Sequence, residues 1–357
     1  MPQTLAQKIL QAHTDDVIER DGQIVQCRLS LVLANDITGP LAIKSFKGMG
    51  ASHVFDKDRI ALVMDHFTPQ KDIASANQVM ISRQFAREQG ITHYYEGGDC
   101  GVEHTLLPER GLVGPGDVVI GADSHTCTYG GIGAFATGMG STDIAAGMAL
   151  GETWIKVPPT IRVNINGRMS RWLRGKDLML LLIKTIGVDG ALYKALEFGG
   201  SVIDALPVEG RLTMANMAIE AGGKVGLFAV DELTRQYCAE HGRPGVTMSL
   251  AADEGAAYER VVDIDVTGQE PVVACPHLPS NVKNVSELKD LPVQQVVVGS
   301  CTNGRISDMR DAAEILRGRK VAKGVRCIIL PSTPSVWKQC LKEGLMDVFM
   351  DAGCIVG

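Results

Sequence analysis

Three short stretches of the chain hold residues that can move protons or bind a metal. Ala61–His66 reads ALVMDH, an apolar run ending in Asp65 and His66. Asp117–His125 reads DVVIGADSH and ends in Asp123, Ser124 and His125. Gln295–Gly304 reads QVVVGSCTNG, and its Cys301 stands where an apolar run gives way to a helical pattern with Ile306, Met309, Ala313 and Leu316 on one face. A carboxylate beside an imidazole suits general acid–base chemistry. A cysteine at a strand-to-helix turn meets free backbone N–H groups and the positive end of a helix dipole. Both favour the thiolate, the form that attacks or binds metal. Each feature also has a plainer role, since Asp and Ser cap helices and free cysteine is often a small buried apolar residue. The repetition argues for chemistry. Ligands in open α/β sheets bind beyond the carboxyl ends of strands, and three polar tips predict one convergent site.

Such tips need alternating strands and helices to position them. Helical patterns run over Ala76–Glu88, Thr142–Glu152, Lys176–Ile186 and Met214–Ala221, and another begins near Ser307. Strand-like runs include ITHYYE, TIRVNINGR and RCIILP. This alternation predicts an α/β fold with largely parallel strands. Pro158–Pro159 marks a boundary, and Glu270–Leu291, with three prolines, reads as a second linker. The 357 residues, 45% hydrophobic and 21% charged, are enough for two or three domains with a sizeable core. A net charge of −6 offers nothing for non-specific nucleic-acid binding. No apolar run reaches the 18 residues of a membrane span, and the N-terminus is an amphipathic helix pattern without a signal-peptide core. The expectation is a cytoplasmic protein. Nine scattered cysteines with no C-x-x-C pair exclude a zinc ribbon and argue against a disulfide framework.

Competing motifs are weak. Gly131, Gly133 and Ala136 match G-x-G-x-x-A, with Glu152 about 20 residues on, which would suit a dinucleotide fingerprint. Yet ADSHTCTYG separates these glycines from the strand end, so close backbone packing explains them better. P-loop and G-x-S-x-G motifs are absent.

GADSHTCTYGGIGAFATGMGSTDIA together with VVVGSCTNGR resembles the aconitase superfamily. ANDITGP, VMDHFTP, GVEHTLLPERG and MANMAIEAGGKVGLF add matches in the family's order from about residue 30 onward. The resemblance is strongest to the free-standing large subunits of 3-isopropylmalate dehydratase and homoaconitase. It implies aconitase-like three-layer α/β/α domains around a central cleft: residues 1–158, 159–270, and an incomplete third domain at 271–357. It also implies a hydro-lyase that isomerises 2- and 3-hydroxy acids by dehydration and rehydration. Cys301 would be the first of three thiolates holding a [4Fe–4S] cluster whose open iron acts as a Lewis acid. His66 would protonate the departing hydroxyl, with Asp65 and His104 tuning it. Asp123 and His125 would belong to the hydrogen-bonded shell, while Ser124, Asn216, Glu220 and Asn303 would bind substrate. Asn216 and Glu220, four apart, would share a helix face.

Three departures shape the expectation. The family's P-x-C-G-x-C does not follow AGCIVG, so the other two cluster cysteines are missing and this chain alone is expected to lack a normal cluster and activity. Leu41 stands where isopropylmalate enzymes and aconitases commonly have Gln, which leans slightly toward homoaconitase-like or related dehydratases; 3-isopropylmalate dehydratase stays the first expectation, with homoaconitase or a related (methyl)malate or citrate dehydratase as the alternative. No stretch resembles the swivel domain, so a small subunit is the expected partner, closing the cleft over a hydroxy di- or tricarboxylate. A rival of another class is a cluster-free, RNA-binding aconitase relative, which the acidic charge disfavours.

Overall fold

The computed structural model describes residues 1–357. Its frame is three parallel sheets met in chain order. The first runs His93–Tyr95, Ile60–Val63, Leu31–Asn35, Val118–Gly121, Phe135–Gly138. Every residue of its three inner strands is buried, as expected of parallel strands covered on both faces. Alternate residues feed two cores. Val32 and Ala34 pack with Phe46, Phe85 and Met148 from helices Gly39–Gly48, Ile73–Gln89 and Ser141–Leu150. Leu31 and Leu33 pack with Leu106, Tyr129 and Leu212 on the opposite face. The period of two along a strand therefore builds a three-layer sandwich. Asp72 fixes the start of its helix by accepting the Ser75 N–H at 2.8 Å, and Gly90, at φ 66°, ends it.

The second sheet is ordered Val225–Phe228, Ala195–Gly199, Thr160–Asn166, Arg260–Asp265, again all parallel. The third holds Gln295–Val298, Arg326–Ile329 and Ile355–Val356. Thr160, just past Pro158–Pro159, opens the second sheet. Packing nevertheless continues across this point. Ala195, Val225 and Leu227 belong to the first core, and Val208 and Leu212 to the core on the other face of the first sheet.

Local expectations need three corrections. The expected linker at 270–291 folds as an antiparallel pair, Val272–Ala274 with Val282–Asn284, followed by a 3₁₀ turn at Val285–Leu288. Val272 and Val282 are buried against the second core, which overrides the turn-forming prolines. The helix expected at Met214–Ala221 is Val208–Asn216 continued by a 3₁₀ turn, Met217–Ala221. The strand expected to reach His125 stops at Gly121, and Ser124–Ile132 is a 3₁₀ segment capped by Asp123.

That segment also explains the glycine run. A Cβ on Gly130 would lie 2.0 Å from Gly226 O, and one on Gly131 would lie 2.6 Å from the Leu212 backbone. These glycines let the segment press onto two neighbouring backbones.

Candidate active site

The site grows from strand ends. Leu31–Asn35, Ile60–Val63 and Val118–Gly121 all finish at one edge, and their next residues turn toward each other. Asp36, fully buried, accepts the backbone N–H groups of His66 at 3.1 Å and Phe67 at 2.7 Å. This ties the His66 turn to the neighbouring strand. Asp65 Oδ1 holds His66 Nδ1 at 2.7 Å, while its Oδ2 accepts the Glu103 N–H at 2.8 Å. The carboxylate is thus fixed from both sides, and the imidazole is oriented in turn.

Asp123 is the hub. Its Oδ1 lies 3.0 Å from His104 Nε2 and accepts the His125 N–H at 2.7 Å, and its Oδ2 is 3.6 Å from His66 Nε2. His125 Nε2 reaches Glu220 Oε1 at 3.0 Å. His104 is buried, with Nδ1 3.3 Å from the Tyr129 hydroxyl. Burial alone would raise the Asp123 carboxyl, but hydrogen bonds from His104, His125 and His66 outweigh it and hold the group well below the usual carboxylate range. The same bonds favour charged imidazoles. Asp123, then Asp65, push His66 up to about 11. Asp123, then Glu220, push His125 up to about 10. Both rings are therefore cations near neutral pH, and His66, a third exposed, presents its charge to the cleft.

Cys301 approaches from the third sheet. Its loop runs between Gly299 at φ 120° and Gly304 at φ 114°, and a Cβ on Gly299 would sit 2.2 Å from Leu330 O. Ser300 Oγ braces the turn by accepting the N–H groups of Thr302 and Asn303. The helix starts at Ile306, five residues past Cys301, so the cysteine lies in the loop and not at the helix cap. Two contacts join the loop to the acid–base cluster. Asn216, fully buried, donates to Cys301 O at 3.4 Å and accepts the Thr302 hydroxyl at 2.8 Å. Arg305, also buried, reaches His104 O at 3.4 Å and Thr302 O at 2.9 Å.

A profile described as Aconitase family (aconitate hydratase) matches residues 7–357. The chain belongs to the aconitase family. Among curated relatives of this family, the 3-isopropylmalate dehydratase large subunit of Desulfovibrio desulfuricans is 83% identical over 357 residues, covering 100% of this chain and 85% of that protein. The protein of the same name in Nitratidesulfovibrio vulgaris is 70% identical, with the same coverage. The one in Acetivibrio thermocellus is 54% identical over 356 residues, again covering 100% of this chain and 85% of that protein. Among solved structures, the holo-form of aconitase X from Thermococcus kodakaraensis superposes with a TM-score of 0.53 at 14% identity, covering 99% of this chain and 82% of that one. It supports the aconitase-like fold. The lean toward homoaconitase that Leu41 suggested is not followed by these relatives, and Leu41 is itself an exposed residue of helix Gly39–Gly48.

Of the aconitase-type residues expected from sequence, Asp65, His66, His104, Asp123, His125 and Glu220 form one connected network. Ser124 is exposed beside His125 and opens onto a groove of about 590 Å³ walled by Trp154 and Tyr193. Asn216 and Glu220 both face the site, although an α-helix gives way to a 3₁₀ turn between them. The Asn303 amide nitrogen donates to Thr213 Oγ1 at 3.2 Å and Asp308 Oδ1 at 3.0 Å, which braces the loop. Sequence reasoning passed over Asp36, Thr302 and Arg305. Asp36 was findable, because ANDITGP is a fourth apolar strand with a polar tip.

Proposed function

We propose that this chain is the catalytic large subunit of a 3-isopropylmalate dehydratase, interconverting 2- and 3-hydroxy acids by loss and return of water. The observation that carries the reading is the His66 imidazolium, held charged between Asp65 and Asp123 at the mouth of the site. The Desulfovibrio and Nitratidesulfovibrio relatives bear that activity in their names. A hydroxyl leaves carbon readily only as water. As the C–O bond breaks, His66 gives its proton to the departing oxygen. It recovers that proton from the attacking water in the return direction. Asp65 and Asp123 keep the ring oriented and compensate its charge before and after the transfer. Preorganised partners of this kind need no rearrangement during reaction. Ser124 and Glu220 flank His125 and are offered as substrate contacts, and His104 supports Asp123 from below.

The family typically carries a [4Fe–4S] cluster. Cys301 suits one ligand position, since its loop is partly open and braced by Asn216. Seven of the other eight cysteines are buried. Cys127 Sγ bonds Asn216 O at 3.3 Å, and Cys327, Cys340 and Cys354 are buried in the third core. One partly open thiol does not make a three-cysteine site. A small subunit would close the cleft and supply the base that takes the C–H proton. An open cleft lets water compete for every hydrogen bond that the elimination uses.

The test supplies this large subunit with a reconstituted cluster and a small subunit. Turnover is then compared on 3-isopropylmalate, homocitrate, citrate and dimethylmalate. Preference for 3-isopropylmalate supports the reading, whereas preference for another acid, or activity without any small subunit, overturns the assignment or its division of labour.

A further inference from the structure

Glu103 opens helix Glu103–Glu109 beneath the site, one residue before His104, and its side chain is 1% exposed. Oε1 accepts the Asn35 amide at 3.1 Å and lies 3.7 Å from His104 Nε2. Oε2 is buried with no hydrogen-bond partner. An oxygen of Glu103, an oxygen of Asp123 and His104 Nε2 all lie within 4.8 Å of one another. The titratable and charged groups around it come from every packed element. They are Asp36 at the first strand tip, Asp65 and His66 at the second, Asp123 and Tyr129 from the 3₁₀ segment, His104 on its own helix, and Arg305 from the cysteine loop.

Two carboxyl groups this close in a buried site do not both ionise freely. Asp123 serves three imidazoles and holds its charge. An orphaned neutral hydroxyl at Oε2 costs far less than an orphaned charge there. We propose that Glu103 is a positioning residue that keeps a proton while the site works, and whose ionisation at alkaline pH slows proton donation by His66. Burial, then the charges of Asp65 and Asp123, moves its carboxyl well above the usual range. The sign of the effect follows from electrostatics. Loss of the Glu103 proton to solvent adds negative charge beside the imidazolium, so His66 binds its proton more tightly and becomes a poorer acid. The kinetic consequence rests on the dehydratase reading, but the protonation state does not.

Infrared spectroscopy of this chain carrying ¹³C-carboxyl glutamate, with Glu103→Gln and Glu103→Met as blanks, reads the proton directly. The wild type should show at neutral pH a protonated-carboxyl band absent from both blanks and lost only under alkaline conditions. A Glu103 carboxylate band at neutral pH would overturn the proposal. If neither variant folds, the wild-type spectrum decides: a glutamate carboxyl band that persists at neutral pH and titrates on the alkaline side supports it, and no such band overturns it. In the assembled enzyme, wild-type kcat should fall along a limb through the Glu103 titration to a lower plateau. Glu103→Gln should lack that limb and Glu103→Asp should retain it. An identical limb in the Gln variant would overturn the effect on His66. Absence of turnover on every hydroxy acid would sink the dehydratase reading instead, and the infrared band would then decide Glu103 alone.

Discussion

The first and third sheets both bring chemistry to the cleft, but they hold it differently. The first sheet presents its residues from strands buried along their whole length, such as Leu31–Asn35 and Ile60–Val63. Each imidazole there has a carboxylate partner, and each of Asp36, Asp65 and Asp123 is locked by backbone N–H groups. The third sheet presents Cys301 from Gln295–Val298, whose Val296 and Val297 are 40% and 48% exposed. Its loop joins the rest of the site through only a few bonds, among them those of Asn216 and Arg305. A proton donor needs fixed geometry and desolvated partners. Under the proposed function, a thiol that is to bind metal needs access. The two kinds of support match those needs.

Ways to break this comparison range from complete loss to small shifts. Cys301→Ser, in a chain that also carries the remaining cluster cysteines, should abolish the visible [4Fe–4S] absorbance after anaerobic reconstitution. It should change thermal stability by less than about 0.5 kcal/mol, because the residue sits in a partly open loop. The 357-residue chain itself should give no stable cluster, and a stoichiometric one would mean that other cysteines reach Cys301.

Asp123→Asn strikes the hub of the other half. Turnover should fall by about 10⁴-fold, the upper end for acid–base groups. The His66 and His125 imidazoles, followed by NMR, should titrate nearer their ordinary range. Unmoved titrations would show that Asp123 does not hold their charge. His66→Ala should cost roughly 10²–10⁴-fold in kcat with cluster content preserved. Near-normal turnover would pass the acid role to His104 or His125.

Packing offers a third contrast. Leu33→Ala, in the fully buried strand, should cost about 2–5 kcal/mol by chemical denaturation. Val297→Ala should cost less than about 1 kcal/mol, since half of that side chain is already in water. Equal costs would erase the distinction between the two sheets.

The smallest effect is on stability against pH. His66 and His125 have folded-state pKa values raised to about 11 and about 10, above an unfolded value near 6.5. Their contribution is therefore complete below about pH 6.5 and is lost as pH rises through 10 to 11. Asp123, depressed in the folded state, contributes above its unfolded value of about 4 and loses that contribution as pH falls. The thermal midpoint should decline between pH 7 and 10. His66→Ala should flatten that decline, and an unchanged slope would place the pH dependence elsewhere.

Sequence alone determined the strand tips, because an apolar run that ends in Asp, His or Cys is a local pattern. Asp65, His66, Asp123, His125 and Cys301 were legible on that ground, and the α/β alternation came from the same periodicity. The motif order carried the aconitase resemblance. The folded hairpin at 272–284 was hidden because turn-forming prolines dominate its local signal, while burial of Val272 and Val282 is a tertiary gain. The bonds that the Asn303 amide nitrogen gives to Thr213 and Asp308 were not legible, because both partners are placed by packed helices. Glu103 and Arg305 are unremarkable letters in GVEH and TNGR. Their meaning depends on what lies within a few ångströms from strands far apart in the chain. Hydrophobic periodicity is written locally, so the sequence could specify the frame. Charge compensation among buried groups is a sum over spatial neighbours, so only the tertiary structure decided which proton each group keeps.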